Sequence, residues 1–180
     1  MALKLIILDS RPKLLSIWSE VFSDINESFF INTDVQTLMS LPEIDAVLII
    51  SMFAHERYGG ISKIGESQVL ENKVDPMIPQ WIVTTSHFAA HFEESIAMRK
   101  RNRFEIISDK KYTPEEESYI VAKNVFKSIQ NFNERFEKPE INTLGFHLGF
   151  LNYPMGEPRK EAEAVHKAYL ENFYKLVGKE

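Results

Sequence analysis

Short runs of consecutive apolar residues alternate along the chain with segments whose apolar residues return every three or four positions. The runs have the length of buried strands. The run after Asp45 is unbroken, as a parallel strand covered on both faces requires. Strands are predicted at residues 3–8, 29–31, 45–50, 81–85, 104–107 and 141–146. The strand at 45–50 is expected to lie inside the sheet.

The periodic segments between these runs predict helices. Pro12 suits the first turn of one helix, and Thr113, followed by a proline and three glutamates, has the residues of a capped start of another. Helices are predicted at residues 12–22, 63–72, 113–132 and 157–176, with a loop at 51–62. Strands that alternate with helices predict an α/β fold, with a mixed or parallel sheet carrying helices on both faces.

Composition narrows the class of protein. A length of 180 residues with 44% hydrophobic content predicts one domain over residues 1–180. The absence of cysteine excludes a disulfide framework and thiolate chemistry. No signal peptide or membrane-spanning run is recognisable, so a cytoplasmic protein without a membrane partner is expected. The net charge of −5 argues against general nucleic-acid binding, and the basic run at 99–103 fits a phosphate contact or a solvated turn.

The segments after the predicted strands contain glycines and polar residues, at the ends of the strands where sheets of this class bind ligands. Residues 145–154, Gly-Phe-His-Leu-Gly-Phe-Leu-Asn-Tyr-Pro, resemble the phosphate loop of the macrodomain family, commonly G-I-G-T-G-V-Y-G-Y-P. Residues 33–35 stand where the family has G-D-I, residues 45–47 resemble its D-A-I/V strand start, and residues 59–61 resemble its glycine-rich first loop. The opening at residues 9–12 is most similar to macro-like proteins of phages and bacterial mobile elements.

This resemblance implies a three-layer α/β/α macrodomain-like fold with a mixed central sheet, and binding of ADP-ribose or a related nucleotide. It implies that the Asp34 carboxylate accepts a hydrogen bond from the adenine amino group, although a turn or cap role explains this aspartate equally well. It implies that the glycine loops admit the diphosphate and that Tyr153 packs against a sugar. The implied ligand residues are Asp34, Gly59, Gly60, Gly145, His147, Gly149 and Tyr153.

Several positions depart from the family pattern. The family strand D-A-I-V-N-A-A-N ends in an Asn that contacts the distal ribose in hydrolytic members, and Met52 stands at that position here. A thioether is only a weak acceptor, so Met52 cannot replace the amide. His147 and Leu148 replace the inner glycine and threonine of the phosphate loop, where they add bulk. Little or no hydrolase activity of the usual kind is therefore expected, and no catalytic residue is assigned.

Two alternatives stand beside a nucleotide-binding module. An enzyme that removes ADP-ribose or a phosphate would need relocated catalytic groups, for which His55, Glu56 and His147 are candidates. A structural or interaction protein would have its pocket filled by His147, Leu148 and Met52. No cofactor is expected. No metal site is expected either, because His87 and His91 lack an H-E-x-x-H pattern and a neighbouring carboxylate cluster.

Overall fold

The computed structural model describes residues 2–33, 43–60, 65–85, 112–151 and 156–174. These residues form an α/β fold with six strands and four α-helices. The strands are β1 (Lys4–Asp9), β2 (Ser28–Asn32), β3 (Ala46–Ile50), β4 (Val69–Glu71), β5 (Trp81–Thr85) and β6 (Thr143–His147). The helices are α1 (Pro12–Val21), α2 (Ser51–Tyr58), α3 (Pro114–Asn133) and α4 (Pro158–Phe173), and a 3-10 turn, Leu148–Phe150, follows β6 directly.

The strands form one mixed sheet in the order β2-β1-β6-β3-β5-β4. Five strands are parallel, and β4 pairs antiparallel with β5. The predicted strand at 45–50 pairs with β5 on one side and β6 on the other, which confirms that it lies inside the sheet. The predicted α/β class with a mixed sheet is confirmed as well.

The two faces of the sheet bury different sets of side chains. Leu5 and Ile7 of β1 belong to a cluster that α1, α3 and α4 complete, and Ile6 and Leu8 point to the opposite face. On that opposite face, α2 contributes Ala54. Complete burial of a large apolar side chain stabilises the fold by about 1.5–3 kcal/mol. The largest fully buried side chains are Trp18, Tyr169, Phe22, Phe126 and Phe146.

The predicted start of the helix at Thr113 is confirmed in atomic detail. The Thr113 hydroxyl accepts a hydrogen bond from the Glu116 backbone N–H, and the Glu116 carboxylate accepts one from the Thr113 backbone N–H. This reciprocal capping box satisfies two amide groups that the first turn of a helix otherwise leaves exposed. The helix at the end of the described chain, α4, begins within one residue of its predicted start.

Two predictions between residues 51 and 72 are wrong. Residues 51–58 form α2 instead of a loop, because Ala54 and Tyr58 pack against the sheet and Gly59, at φ +80°, terminates the helix. The segment expected to be helical at 63–72 instead contains β4, since Val69 to Glu71 pair with β5. The predicted strand at 104–107 and the basic run at 99–103 lie outside the described residues.

Within the described ranges, no helix has the length and apolar character needed to cross a membrane.

Candidate functional site

The topology provides a crevice at the carboxyl edge of the sheet, between β6 and β3. The chain leaves β6 towards α4, which packs on one face through Val165 and Ala168. It leaves β3 towards α2, which packs on the opposite face through Ala54. Neighbouring strands whose connections depart to opposite faces open a crevice between them, and α/β sheets bind ligands there.

A cluster of polar side chains lies beside this crevice, at the ends of β1 and β6. Asp9, the last residue of β1, is completely buried. Its Oδ1 accepts hydrogen bonds of 2.8 Å from the backbone N–H and from Nε of Arg11, and its Oδ2 accepts one of 2.8 Å from Nη2 of Arg11. Both carboxylate oxygens are therefore engaged, and the guanidinium is fixed in orientation.

His147, the last residue of β6, joins this cluster from the neighbouring strand. Its Nε2 lies 3.5 Å from Oδ2 of Asp9, and its Nδ1 accepts a hydrogen bond of 3.1 Å from the Gly149 backbone N–H. An Nδ1 that accepts carries no proton, so the neutral ring holds its proton on Nε2, facing the carboxylate. The ring thus connects the strand end to the turn that follows it.

The electrostatics of the cluster favour an ionised aspartate. Burial raises the pKa of the Asp9 carboxyl, but the hydrogen bonds and charge of Arg11, with a contribution from His147, outweigh burial and hold its pKa below the ordinary value. The hydrogen bond to Asp9 likewise raises the pKa of Arg11. The result is an ion pair whose carboxylate is buried and whose guanidinium side chain is 53% exposed.

Local sequence explains how these groups come together. Apolar residues carry β1 through the core up to Asp9, and Arg11 then precedes Pro12, the first residue of α1. The Asn32 side-chain amide and the Thr33 backbone N–H both donate to the Asp9 carbonyl, which joins the ends of β1 and β2. The carboxyl ends of three adjacent strands are therefore held in one network.

The turn after β6 is held in place by contacts with α3 and α4. Leu148 and Leu151 are completely buried, and the buried Ser118 hydroxyl of α3 donates to the Leu151 carbonyl over 3.0 Å. Gly156 lies against the buried Glu161 of α4, and a Cβ at Gly156 would stand 1.8 Å from Oε1 of Glu161. Both ends of the segment between the turn and α4 are thus fixed by side chains of the two helices.

The predicted ligand residues occupy different parts of the molecule. Gly145 is buried inside β6, opposite Ile6 on one side and Val47 on the other, whereas His147 and Gly149 lie in the cluster at the end of that strand. Asp34 and Tyr153 lie outside the described residues.

Gly59 and Gly60 lie beside β4, three positions from β6 in the sheet. Both have positive φ, and a Cβ on Gly60 would approach Leu70 Cδ2 to 2.9 Å. Glycine at position 60 is therefore required both by backbone conformation and by close packing on the edge strand.

His55 and Glu56, the candidate relocated catalytic groups, lie on the exposed side of α2. His55 Nδ1 is 2.7 Å from the Gly60 carbonyl oxygen. Arg57 forms an ion pair with Asp75, in the turn before β5, so the end of α2 points away from the carboxyl edge. The structure does not bring these residues into the cluster around Asp9.

Asp9 and Arg11 were missed as candidate site residues, because the sequence presents them as an ordinary turn between a strand and a helix. A signal was nevertheless present. An aspartate that ends a continuous apolar strand is placed at the binding edge of the sheet, and an arginine two residues later can reach back to it. No local feature of the sequence shows that His147 joins Asp9, because β1 and β6 lie near opposite ends of the chain.

A second concave region, of about 380 Å³, lies at the opposite, amino edge of the sheet. Its lining includes Leu3, Asn133 and Ile141. The Asn133 side chain is already committed, because its amide donates to the Ile141 carbonyl and its oxygen accepts from the Glu140 and Ile141 backbone. This region is therefore a structural contact between α3 and the segment that leads into β6.

Across the described ranges, no group of three or more histidines, aspartates or glutamates is arranged to hold a metal ion. No protein-family model matches this chain, and no curated protein is significantly similar to it.

Proposed function

We propose that this chain is a divergent macrodomain-like protein with a three-layer α/β/α fold, and that it binds ADP-ribose or a related nucleotide at the carboxyl edge of its sheet. The observation that carries the proposal is the crevice between β6 and β3. The turn that resembles the macrodomain phosphate loop follows one of these two strands, and the segment at the position of the family's Asn follows the other.

The polar groups at this edge suit a ligand with an anionic centre. Arg11 supplies a fixed positive charge, and the buried carboxylate of Asp9 keeps it oriented towards the edge. Ordered donors of this kind are what a nucleotide diphosphate requires, since guanidinium and phosphate groups match in geometry. Asp34, which lies outside the described residues, is proposed as the acceptor for the adenine amino group.

The same proposal holds that hydrolysis of the usual macrodomain kind is absent or weak. Met52 lies in the first turn of α2, at the position of the family's Asn, and a thioether cannot hold a ribose hydroxyl or a water as an amide does. Loss of a positioning group is expensive, because catalysis depends on holding the attacking water and the sugar in one geometry. We therefore propose binding rather than turnover as the function.

Binding is tested by thermal unfolding and calorimetry with ADP-ribose, NAD and AMP. A ligand present at 100 times its dissociation constant adds about 2.7 kcal/mol of stability, which raises the melting temperature by roughly 5–11 °C for a chain of this size. Asp34→Ala should weaken ADP-ribose binding by roughly 1.5–3 kcal/mol, as expected for a hydrogen bond to a charged group. A flat response of the wild type to all three compounds would contradict the proposal.

A structural or interaction protein is the second candidate, and one observation favours it. The Gly149 N–H, a natural phosphate donor, is already bonded to His147, and both oxygens of the Asp9 carboxylate are engaged by Arg11. A site of this kind can persist without a ligand. The flat thermal response described above is the result that this alternative predicts.

The enzyme alternative is tested by release of ADP-ribose from a mono-ADP-ribosylated protein. The wild type is compared with a double variant, His55→Ala with Glu56→Ala. Robust turnover by the wild type that disappears in the double variant would establish an enzyme with relocated catalytic groups.

A further inference from the structure

We infer that Arg11 is the anion anchor of this site, the side chain that binds the diphosphate oxygens of the ligand, and that Asp9 is its positioning residue. The inference rests on the proposed nucleotide-binding function and specifies how that site recognises its ligand. Neither residue belongs to the segments through which the chain resembles a phosphate loop.

The guanidinium of Arg11 has more N–H donors than Asp9 uses. Arginine carries five N–H groups, arranged as two forks. Asp9 takes the fork formed by Nε and one hydrogen of Nη2. Three N–H groups remain, and the second fork consists of one on Nη1 and the outer one on Nη2. Among the described residues the guanidinium donates to Asp9, and the Arg11 side chain is 53% exposed, which leaves this second fork for a ligand.

The side chains of Asp9 and Arg11 differ in their exposure to solvent. The Asp9 side chain is 0% exposed and that of Arg11 is 53% exposed. A ligand at the carboxyl edge therefore meets the cation and not the carboxylate. Because Asp9 fixes the plane of the guanidinium beforehand, binding loses less side-chain entropy than it would with a free arginine.

Two of the described backbone amides that the resemblance implies for the phosphate are not available to it. The resemblance assigns the phosphate to backbone amides of the loop after β6, but the Gly149 N–H is bonded to His147 and Gly145 is held between two strands. The Nε2 of His147 faces Asp9. An oxyanion that approaches this edge therefore finds a directed pair of donors on Arg11.

The test compares three proteins by calorimetry: the wild type, Arg11→Lys and the control Arg159→Lys. Lysine keeps the charge but loses the fork. Arg159 is a matched control, because its side chain is 54% exposed and forms an ion pair with a different carboxylate, that of Glu20. Each protein is titrated with ADP-ribose and with adenosine, which has no phosphate. We expect Arg11→Lys to weaken ADP-ribose binding about tenfold, with adenosine binding unchanged and with wild-type affinities in Arg159→Lys.

If the wild type binds ADP-ribose and Arg11→Lys binds it equally well, the inference is overturned and the proposed function stands. If the wild type binds neither compound, the proposed function fails.

A second measurement on the wild type does not depend on how well the variant folds. The Nε–H resonance of Arg11 is followed by ¹⁵N NMR while inorganic pyrophosphate is added. A saturable shift supports the anchor, and an unchanged resonance overturns it.

Discussion

Replacement of the buried Asp9 by asparagine should destabilise the fold, because it removes a charge around which the candidate site is organised. Asparagine has the same size, and its oxygen can keep the two hydrogen bonds that Oδ1 now accepts from Arg11. The new amide NH₂ would face Nη2 of Arg11 and Nε2 of His147, which places donors against donors. At least one charge-assisted hydrogen bond is lost.

The magnitude follows from that count. A hydrogen bond to a charged group contributes about 1.5–3 kcal/mol. Loss of one partner of a fully buried ion pair costs more, about 3–5 kcal/mol, but water can solvate the half-exposed Arg11. We therefore expect Asp9→Asn to lower the free energy of unfolding by about 2–3 kcal/mol at pH 7. At 2–4 °C per kcal/mol, the melting temperature should fall by roughly 4–12 °C.

The pH dependence of this difference has a defined sign. The pKa of Asp9 is lowered in the folded state, so its stabilisation is fully present above its ordinary pKa, about 3.9, and is lost as pH falls through the lowered value. The wild type and Asp9→Asn should therefore differ at pH 7 and converge in strong acid. Asp75→Asn is the control, because Asp75 pairs with Arg57 in a more exposed position and should cost no more than about 1 kcal/mol. Equal losses in the two variants, or a loss below about 0.5 kcal/mol for Asp9→Asn, would refute the reasoning.

Two further substitutions test the surroundings of the site. Gly156→Ala would place a Cβ 1.8 Å from Oε1 of the buried Glu161, and overpacking of this kind costs about 1–3 kcal/mol. In a Glu161→Ala background the same change should cost clearly less in urea unfolding, and an unchanged cost would show that the two residues are not in contact. Thr113→Ala removes the hydroxyl that accepts from the Glu116 backbone N–H and should cost about 1 kcal/mol by thermal unfolding, while Thr113→Ser should retain wild-type stability. An alanine variant as stable as the serine variant would show that the cap contributes nothing.

The sequence predicted the parts of the fold that local chemistry determines. The unbroken apolar run from Ala46 to Ile50 could only be covered on both faces, and it lies inside the sheet. The helix after Thr113 was predictable because its cap and its acidic first turn are encoded within five residues.

The errors fall where tertiary contacts decide the conformation. The apolar residues within 51–58 do not repeat over several helical turns, so the local pattern did not favour a helix, yet Ala54 meets the sheet and stabilises one. The segment at 69–71 is too short to show a strand pattern and becomes β4 only by pairing with β5.

The candidate site was predictable in position but not in composition. The rule that ligands bind beyond the carboxyl ends of parallel strands predicted that His147 and Gly149 lie at the carboxyl edge, and they do. The same rule could not show that the His147 ring accepts a hydrogen bond from the Gly149 N–H, because that contact depends on the rotamer of His147. Nor could it show that Arg11 and Asp9 share this edge with them, because β1 and β6 become neighbours only in the folded sheet.

The most direct test of nucleotide binding at the carboxyl edge is a titration of the ¹⁵N-labelled wild-type protein with ADP-ribose, followed by two-dimensional NMR. Binding at this edge predicts saturable shifts at the amides of Asp9, Arg11, His147 and Gly149, with the residues of the opposite edge unaffected. Resonances that stay unchanged throughout, or shifts confined to the cavity beside Asn133 at the amino edge, would contradict it.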